Sequence, residues 1–366
     1  MLLPDEWLAL ARAPGLHAGL LQDDAGLRED PTALVGASPA TLRALQLPES
    51  AVRWLAEPDP ALLAADRNWL AASCTRLLHR GDALFPPQLE FIPDAPLCLY
   101  VQGDVAALRL PQLAMVGARH PTAPGLRHAR RFAACCGAAG LAITSGLAVG
   151  IDQACHETAL ERGHTIAVLG SGLNRVYPRD NAALAERIVG SGGALVSEFP
   201  PGVAPLPQNF PQRNRLISGL AQALLVIEAA SRSGTLITAR LAADQGRTVM
   251  VLPGALGNPM AEGCHQLIRQ GATLVTCPEE VLQEIHISLP KHMLMSPGGG
   301  APKRRRLDNA GKILLDALGF EPASSDLLAA TTGLSPAEVG AQLLLLELEG
   351  WVDRLAGGRF VRRPRW

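Results

Sequence analysis

Lysine is almost absent from this chain. Lys291, Lys303 and Lys312 are its three, against thirty arginines. Any anion met before residue 291 is therefore met by arginine or by backbone amides. The plainer reading of such a ratio is a GC-rich genome. The formal net charge is −1, which excludes a polycation, so any nucleic-acid binding rests on a local patch. Aromatic residues make up 4 % of the chain, so each one is scarce core material. The seven cysteines, at 74, 98, 135, 136, 155, 264 and 277, form no CxxC pair and are odd in number. They read as small buried hydrophobes of a reducing compartment, which points to the cytoplasm. Met1–Leu10 carries acids and no basic stretch, so no secretory leader is expected. No apolar run reaches the roughly 18 residues of a membrane span. A GxxxxGK[ST] loop, an HExxH pair and a GxSxG elbow are all missing. His156 with Glu157 and Glu161 lacks a second histidine at metal spacing, so no metal site is expected. Neither a catalytic set nor a cofactor is expected.

What the chain does have is a series of apolar runs ending on small or polar turns. Leu113–Val116 precedes Gly117-Ala118-Arg119, and Leu141–Thr144 precedes Ser145-Gly146. Thr165–Leu169 precedes Gly170-Ser171-Gly172, and Leu224–Ile227 precedes Glu228. A later turn, Ser233-Gly234-Thr235, opens another helix. Glycine lets backbone approach a ligand, and a helix N-terminus presents N–H groups with partial positive charge. Such turns on one sheet edge would make an anion-binding rim. Gly170-Ser171-Gly172 alone does not make a dinucleotide site. Its third glycine position is Arg175, and Glu198 follows about thirty rather than about twenty residues on.

Residues 1–80 read as short helices, at Asp5–Ala13, Pro39–Leu45, Glu49–Leu55 and Asp66–Leu78. Ser38-Pro39 is a cap and first-turn signal. This small helical module resembles helix-hairpin-helix or sterile-alpha-motif units, or is a helical cap with no ligand. Residues 81–287 alternate strand and helix. Expected strands are Leu97–Gln102, Leu113–Val116, Leu141–Thr144, Thr165–Leu169, Ala194–Ser197, Leu224–Ile227, Thr248–Leu252 and Thr273–Thr276. Expected helices include Gly125–Ala139, Ile151–Arg162, Asn181–Val189 and Thr235–Gln245. Continuous apolar strands suit a sheet buried on both faces, so the class is α/β: a Rossmann-like, doubly wound, mostly parallel sheet.

Residues 288–306 read as a flexible basic linker, ending in Lys303-Arg304-Arg305-Arg306. Residues 307–366 read as a C-terminal winged-helix domain. Its helices are Ala310–Leu318, Ser324–Ala330 and one from the Ser335-Pro336 cap to about Leu348. The wing is Trp351–Leu355 with Arg359–Val361. The third helix takes the recognition position, yet Pro336–Leu348 contains no Lys, Arg, Asn or His. Gln342 alone could read a base, so packing or protein contact is expected rather than duplex reading.

The segment Gln208–Arg215 stands just before a helix-like run, Leu216–Ala221. It offers Phe210, Arg213, Asn214 and Arg215. Phe210 either stacks on a base or belongs to the core. Arg213 and Arg215 either grip phosphates or form an internal ion pair. Arg119 ends the first glycine-turn strand, and Arg232 precedes the Ser233-Gly234-Thr235 helix start. Several turns with scattered arginines suit a nucleic-acid strand, with a phosphate at each step, better than one nucleotide.

These residues resemble the bacterial DNA-processing family DprA, also called Smf. The series runs Val116-Gly117-Ala118-Arg119, Thr144–Asp152, His156–Leu160, Thr165–Leu173, Tyr177-Pro178, Ser197–Pro200, Phe210–Arg215, Ser233–Ala239, Val251–Gly254 and Leu267–Ala272. The resemblance covers roughly residues 80–280 in order, and the flanking modules match the family's three-part layout. It implies a cytoplasmic protein of natural transformation. Such proteins bind and protect incoming single-stranded DNA, load RecA on it, dimerise through the Rossmann-like domain and have no established catalysis. The resemblance places DNA contacts at Arg119, Ser145, Gly146, Gly170, Ser171, Gly172, Phe210, Arg213, Asn214, Ser233, Gly234 and Thr235. The chain departs from the pattern at Ala118, where serine is common, and at Leu206-Pro207-Gln208-Asn209, where lysine or histidine is usual. A rival reading is a Rossmann-like nucleoside-monophosphate phosphoribohydrolase, with Glu198 or Glu228 as acid or base. That family's PGGxGTxxE motif lacks its carboxylate here, since position 238 is Thr. A nucleotide-sensing protein is the third reading.

Overall fold

The computed structural model describes residues 5–286, 307–319, 321–355 and 357–363. The expected linker at 288–306 lies outside the described residues, basic tetrad included. The chain divides at residue 289 into two compact units.

The first unit opens with five helices, α1 (Asp5–Arg12), α2 (Ala25–Glu29), α3 (Pro39–Ala44), α4 (Glu49–Ala56) and α5 (Pro60–Ser73). Their starts follow from capping chemistry. Ser38 accepts from the Thr41 N–H at 3.1 Å, and Asp59 accepts from the Ala61 N–H at 2.8 Å, each followed by proline in the first turn. The helical reading of Asp66–Leu78 is corrected. The helix stops at Ser73, Cys74 turns left-handed with φ 52°, and Thr75–His79 forms strand β1. Pairing decides this: β1 runs antiparallel along β2 (Cys98–Gly103), from Thr75 opposite Gln102 to His79 opposite Cys98. Cross-strand hydrogen bonds to a distant segment override local helical spacing.

The remaining strands are β3 (Gln112–Val116), β4 (Ala142–Ser145), β5 (Thr165–Val168), β6 (Ala194–Ser197), β7 (Ala223–Val226), β8 (Thr248–Val251) and β9 (Thr273–Leu274). They form one nine-stranded sheet in the order β1-β2-β6-β5-β4-β3-β7-β8-β9. All neighbours from β6 to β9 are parallel, and β1 and β2 are antiparallel. The helices between them are α6 (Ala123–Ala138), α7 (Ile151–Arg162), α8 (Ala182–Gly190), α9 (Asn209–Leu220), α10 (Gly234–Asp244) and α11 (Glu262–Arg269), and α12 (Pro278–Glu284) follows β9.

Period-two alternation builds the two layers. In β3, Leu113 and Met115 enter one core with Phe132, Cys136 and Ile151. Ala114 and Val116 enter the other, with Leu216, Ile217 and Leu220. The N-terminal helices extend this second core through Leu8, Leu42, Val52 and Leu55.

The second unit is a winged helix. It contains α13 (Asn309–Leu318), β10 (Ala323–Ser324), α14 (Ser325–Thr332), α15 (Pro336–Leu348), β11 (Val352–Arg354) and β12 (Arg359–Arg362). Ser335 and Glu338 cap α15 reciprocally. Strand β12 pairs with both β10 and β11.

Candidate nucleic-acid interface

Strand order reverses between β3 and β7. Successive strands go one way from β3 through β4, β5 and β6, and the other way from β7 through β8 and β9. In open α/β sheets the crevice beyond the carboxyl ends at such a reversal is the ligand site. Here that crevice is a groove of about 880 Å³, bordered by Val116–His120 after β3 and Ala230–Thr235 at the start of α10. Tyr177, Phe210, Arg213 and Asn214 also line it.

The residues 210–215 form the first two turns of α9, not a lead-in to a later helix. Pro211 lies in the first turn, where a missing N–H costs nothing. Helical spacing then sorts the segment. Phe210, Arg213, Asn214 and Ile217 share one face and line the groove. Gln212 and Arg215 face a separate cavity of about 490 Å³, bordered by Leu10–His17.

Comparison with known proteins agrees with this architecture. The family model described as DNA recombination-mediator protein A matches residues 76–286, and the DprA winged helix domain model matches residues 301–358. The chain belongs to the DNA recombination-mediator protein A family. Protein Smf of Escherichia coli K12 is 44 % identical over 324 residues, covering 87 % of this chain and 81 % of that protein. DNA processing protein DprA of Streptococcus pneumoniae R6 is 42 % identical over 205 residues, 56 % of this chain and 72 % of that one. The X-ray structure of S. pneumoniae DprA superposes with TM-score 0.67 at 32 % identity, covering 78 % of this chain and 99 % of that one. A structure of DNA processing protein A from Helicobacter pylori, which concerns that protein's single-stranded DNA binding mode, has TM-score 0.54 at 27 % identity. It covers 59 % of this chain and 97 % of its own.

Within this family framework the four glycine turns are not equivalent. At the first, Arg119 and His120 are exposed on the groove's lip. The helix start beside them is already filled from inside. Glu228 accepts from the Thr122 N–H at 2.9 Å and from its hydroxyl at 2.5 Å, so a carboxylate occupies the N-terminus of α6. At the second turn, the buried Ser145 hydroxyl donates to the Met115 carbonyl at 2.6 Å, and the Gly146 N–H donates to Asp152 at 3.1 Å. Gly150, with φ +86°, passes so close beneath the first turn that a Cβ would lie 2.5 Å from the Ala118 carbonyl oxygen.

The third turn is sealed, which corrects its expected place on an open rim. Gly170, Ser171 and Gly172 are all buried. The Gly172 N–H donates to Val203 at 3.0 Å, Ser171 donates to Arg175 at 2.7 Å, and Asn209 donates to the Gly170 carbonyl at 3.1 Å. The loop leading into α9 covers this turn. The fourth turn is open. Ser233 caps α10 by accepting from the Thr235 N–H at 3.1 Å, Gly234 is exposed, and Arg232 is exposed beside them. Thr235 is buried and donates to the Gly117 carbonyl at 3.1 Å, tying the fourth turn to the first.

Two of the expected arginines are also buried. Arg213 is 5 % exposed. Its guanidinium donates to the Gly146 carbonyl at 2.9 Å and to the Val168 carbonyl, so it braces the sheet's edge from below. Burial pushes its pKa down to about 10, against the favourable field of Asp152. Burial likewise raises the Asp152 pKa, opposed by Arg213. Arg215 is 7 % exposed and donates to both Glu198 oxygens, at 2.7 and 2.8 Å. It does not line the groove.

Phe210 is half-buried under a cluster of cations. The Arg119 and Arg213 guanidiniums lie 5.9 and 6.0 Å from its ring centre. The Tyr177 ring is 5.8 Å away, tilted by 51°. Tyr177, 47 % exposed, was not among the expected contacts. The available signal was one of only two tyrosines in the chain, placed in a loop before a proline. His156 is fully buried, bonded through Nδ1 to the Thr165 hydroxyl at 2.7 Å, with its pKa pushed down by burial to about 3. Among the described residues no cluster of His, Cys, Asp or Glu could hold a metal ion, and no helix is long and apolar enough to cross a membrane.

In the second unit, the Gln342 amide donates to Asp308 at 2.9 Å. The one side chain of α15 suited to reading a base is thus engaged at the start of α13.

Proposed function

We propose that the switch-point groove binds single-stranded DNA, that the protein protects incoming DNA in natural transformation, and that it hands the strand to RecA. One observation carries the reading. An exposed arginine, Arg119, and two rings at least partly exposed, Phe210 and Tyr177, line one groove together with the open helix start at Arg232-Ser233-Gly234. A base stacks on the rings while phosphates lie against Arg119, Arg232, Asn214 and the helix start. Arg213 and Thr235 shape the floor. The H. pylori member of the family, a protein with a single-stranded DNA binding mode, supports the choice of a single strand as ligand.

The role is binding, with no bond made or broken. The two carboxylates a hydrolase would use are occupied: Glu198 holds Arg215 and Glu228 caps α6. The protein works as a homodimer through its α/β unit, in the cytoplasm. RecA filament assembly on a strand precoated with single-strand-binding protein tests the delivery step. Assembly should quicken when this protein is added and not with Arg119→Ala. Equal rates with and without it would end the mediator reading. Sedimentation at micromolar concentration tests the dimer.

A further inference from the structure

The second unit carries an apolar surface that its own fold does not use. Helix α15 buries Val339, Leu343 and Leu346 in the winged-helix core, with Leu314 and Leu318 of α13. At 3.6 residues per turn, the opposite face is Ala337, Ala341, Leu344 and Leu348. All four are exposed, Leu344 by 57 % and Leu348 by 76 %, and Leu345 beside them by 50 %. A helix apolar on both faces is ordinarily covered on both. This outer face has no side-chain donor or acceptor, so neither a phosphate nor a base edge finds a partner on it.

The spacing gives the shape of the occupant. Steps of four, three and four residues make the a/d seam by which one helix packs along another. Gly340 adjoins the seam. A Cβ there would meet no other element within 4 Å, which leaves room for close approach. Charge gives the occupant's chemistry. Residues 313–349 contain Asp316, Glu321, Asp326, Glu338, Glu347 and Glu349 and no Lys, Arg or His. By helical spacing Glu338 and Glu347 flank the seam on its two sides. Glu338 is engaged in the cap of α15, and Glu347 is partly exposed. A second copy of α15 would set acid against acid, and an anionic lipid surface would be repelled.

We propose that α15 docks an amphipathic helix of another protein, one whose apolar seam is flanked by Lys or Arg. The leucines of α15 pack between that helix's seam residues, and its basic flanks meet Glu347 and the field of the neighbouring acids. This surface belongs to the second unit, whereas the switch-point groove belongs to the first.

The test uses the full chain and two synthetic peptides of about three heptads with the same leucine seam. One carries lysine and the other glutamate at the flanking positions. Fluorescence anisotropy follows their binding to the wild type, to Leu344→Gln with Leu348→Gln, and to Glu347→Lys. The lysine-flanked peptide should bind at least about 10-fold tighter than the glutamate-flanked one. The double variant should weaken it by about 10-fold or more, and Glu347→Lys by about 3-fold. None of the three side chains is buried, so melting temperatures should stay within about 1 °C. No saturable binding of the lysine-flanked peptide, equal affinity for the two peptides, or an affinity untouched by the double variant overturns the proposal. So does a smaller assembly of the double variant in sedimentation, which would assign the seam to a second copy. Should the double variant melt early, Leu348→Gln alone, at the most exposed position, carries the test. It should weaken the lysine-flanked peptide by about 3-fold, and no change there also overturns the proposal.

Discussion

Arg213 is a brace, and replacing it with alanine should unfold more than it unbinds. The side chain lies beneath the groove with Asp152, which is also buried and accepts from the Gly146 and Ala148 N–H groups at 3.1 and 3.4 Å. The two make no direct ion pair but feel each other's charge, so removing Arg213 leaves the buried Asp152 less compensated, which together with the lost hydrogen bonds should cost about 3–5 kcal/mol. Two backbone carbonyls, of Gly146 and Val168, lose their donor as well. For a unit of this size about 2 °C follows each kcal/mol, so the melting temperature should fall by about 6–10 °C. The pH dependence has a definite sign. The folded-state pKa of Asp152 is already raised by burial, and losing Arg213 raises it further. A carboxyl with a raised folded pKa binds more protons folded than unfolded, so its contribution to stability falls as pH rises through that range. The gap between variant and wild type should therefore be smallest in acid and widen toward neutral pH. Other carboxylates contribute equally to both proteins and cancel. Thermal melts followed by circular dichroism from about pH 4 to about pH 8 check this. An unchanged melting temperature together with a reduced salt slope for DNA would refute it, and would make Arg213 a phosphate ligand.

Arg119→Ala should do the opposite: lower the salt slope by about 0.7 with single strands and leave the melting temperature within about 1 °C. Phe210→Ala should cost about 1–3 kcal/mol of single-strand affinity, largely independent of salt; a variant that melts early but binds normally would place the ring in the core instead. Removal of residues 307–366 should leave most of the single-strand affinity, because α15 presents no basic side chain and Gln342 is held by Asp308. Loss of binding on truncation would give the winged helix a direct DNA role.

The parallel sheet was legible because strands buried on both faces are bare apolar runs, and runs such as Leu113–Val116 and Leu224–Ile227 end on turns and alternate with helical segments. Strand β1 was not, because Thr75–His79 continues a helical pattern and becomes a strand only by pairing with β2. The glycine turns were visible as turns, yet nothing local told Gly170-Ser171-Gly172 from Ser233-Gly234-Thr235. The difference is the loop that covers the first, fixed by hydrogen bonds from distant residues such as Asn209, which is 39 positions from Gly170. Arg213 and Arg215 looked alike for a similar reason. Once Pro211 is read as a first-turn proline, the helix starts earlier and sends the two in different directions, one to the sheet's edge and one to Glu198.

The central claim is that the switch-point groove takes a single strand. The most direct measurement is the affinity of one fluorescent oligonucleotide, single-stranded and as a duplex, across a salt series, for the wild type and for Arg119→Ala with Phe210→Ala. The account predicts a strong single-strand preference with a steep salt slope, both much reduced in the double variant. Equal, weak binding of the two forms, unchanged by the substitutions, would contradict it.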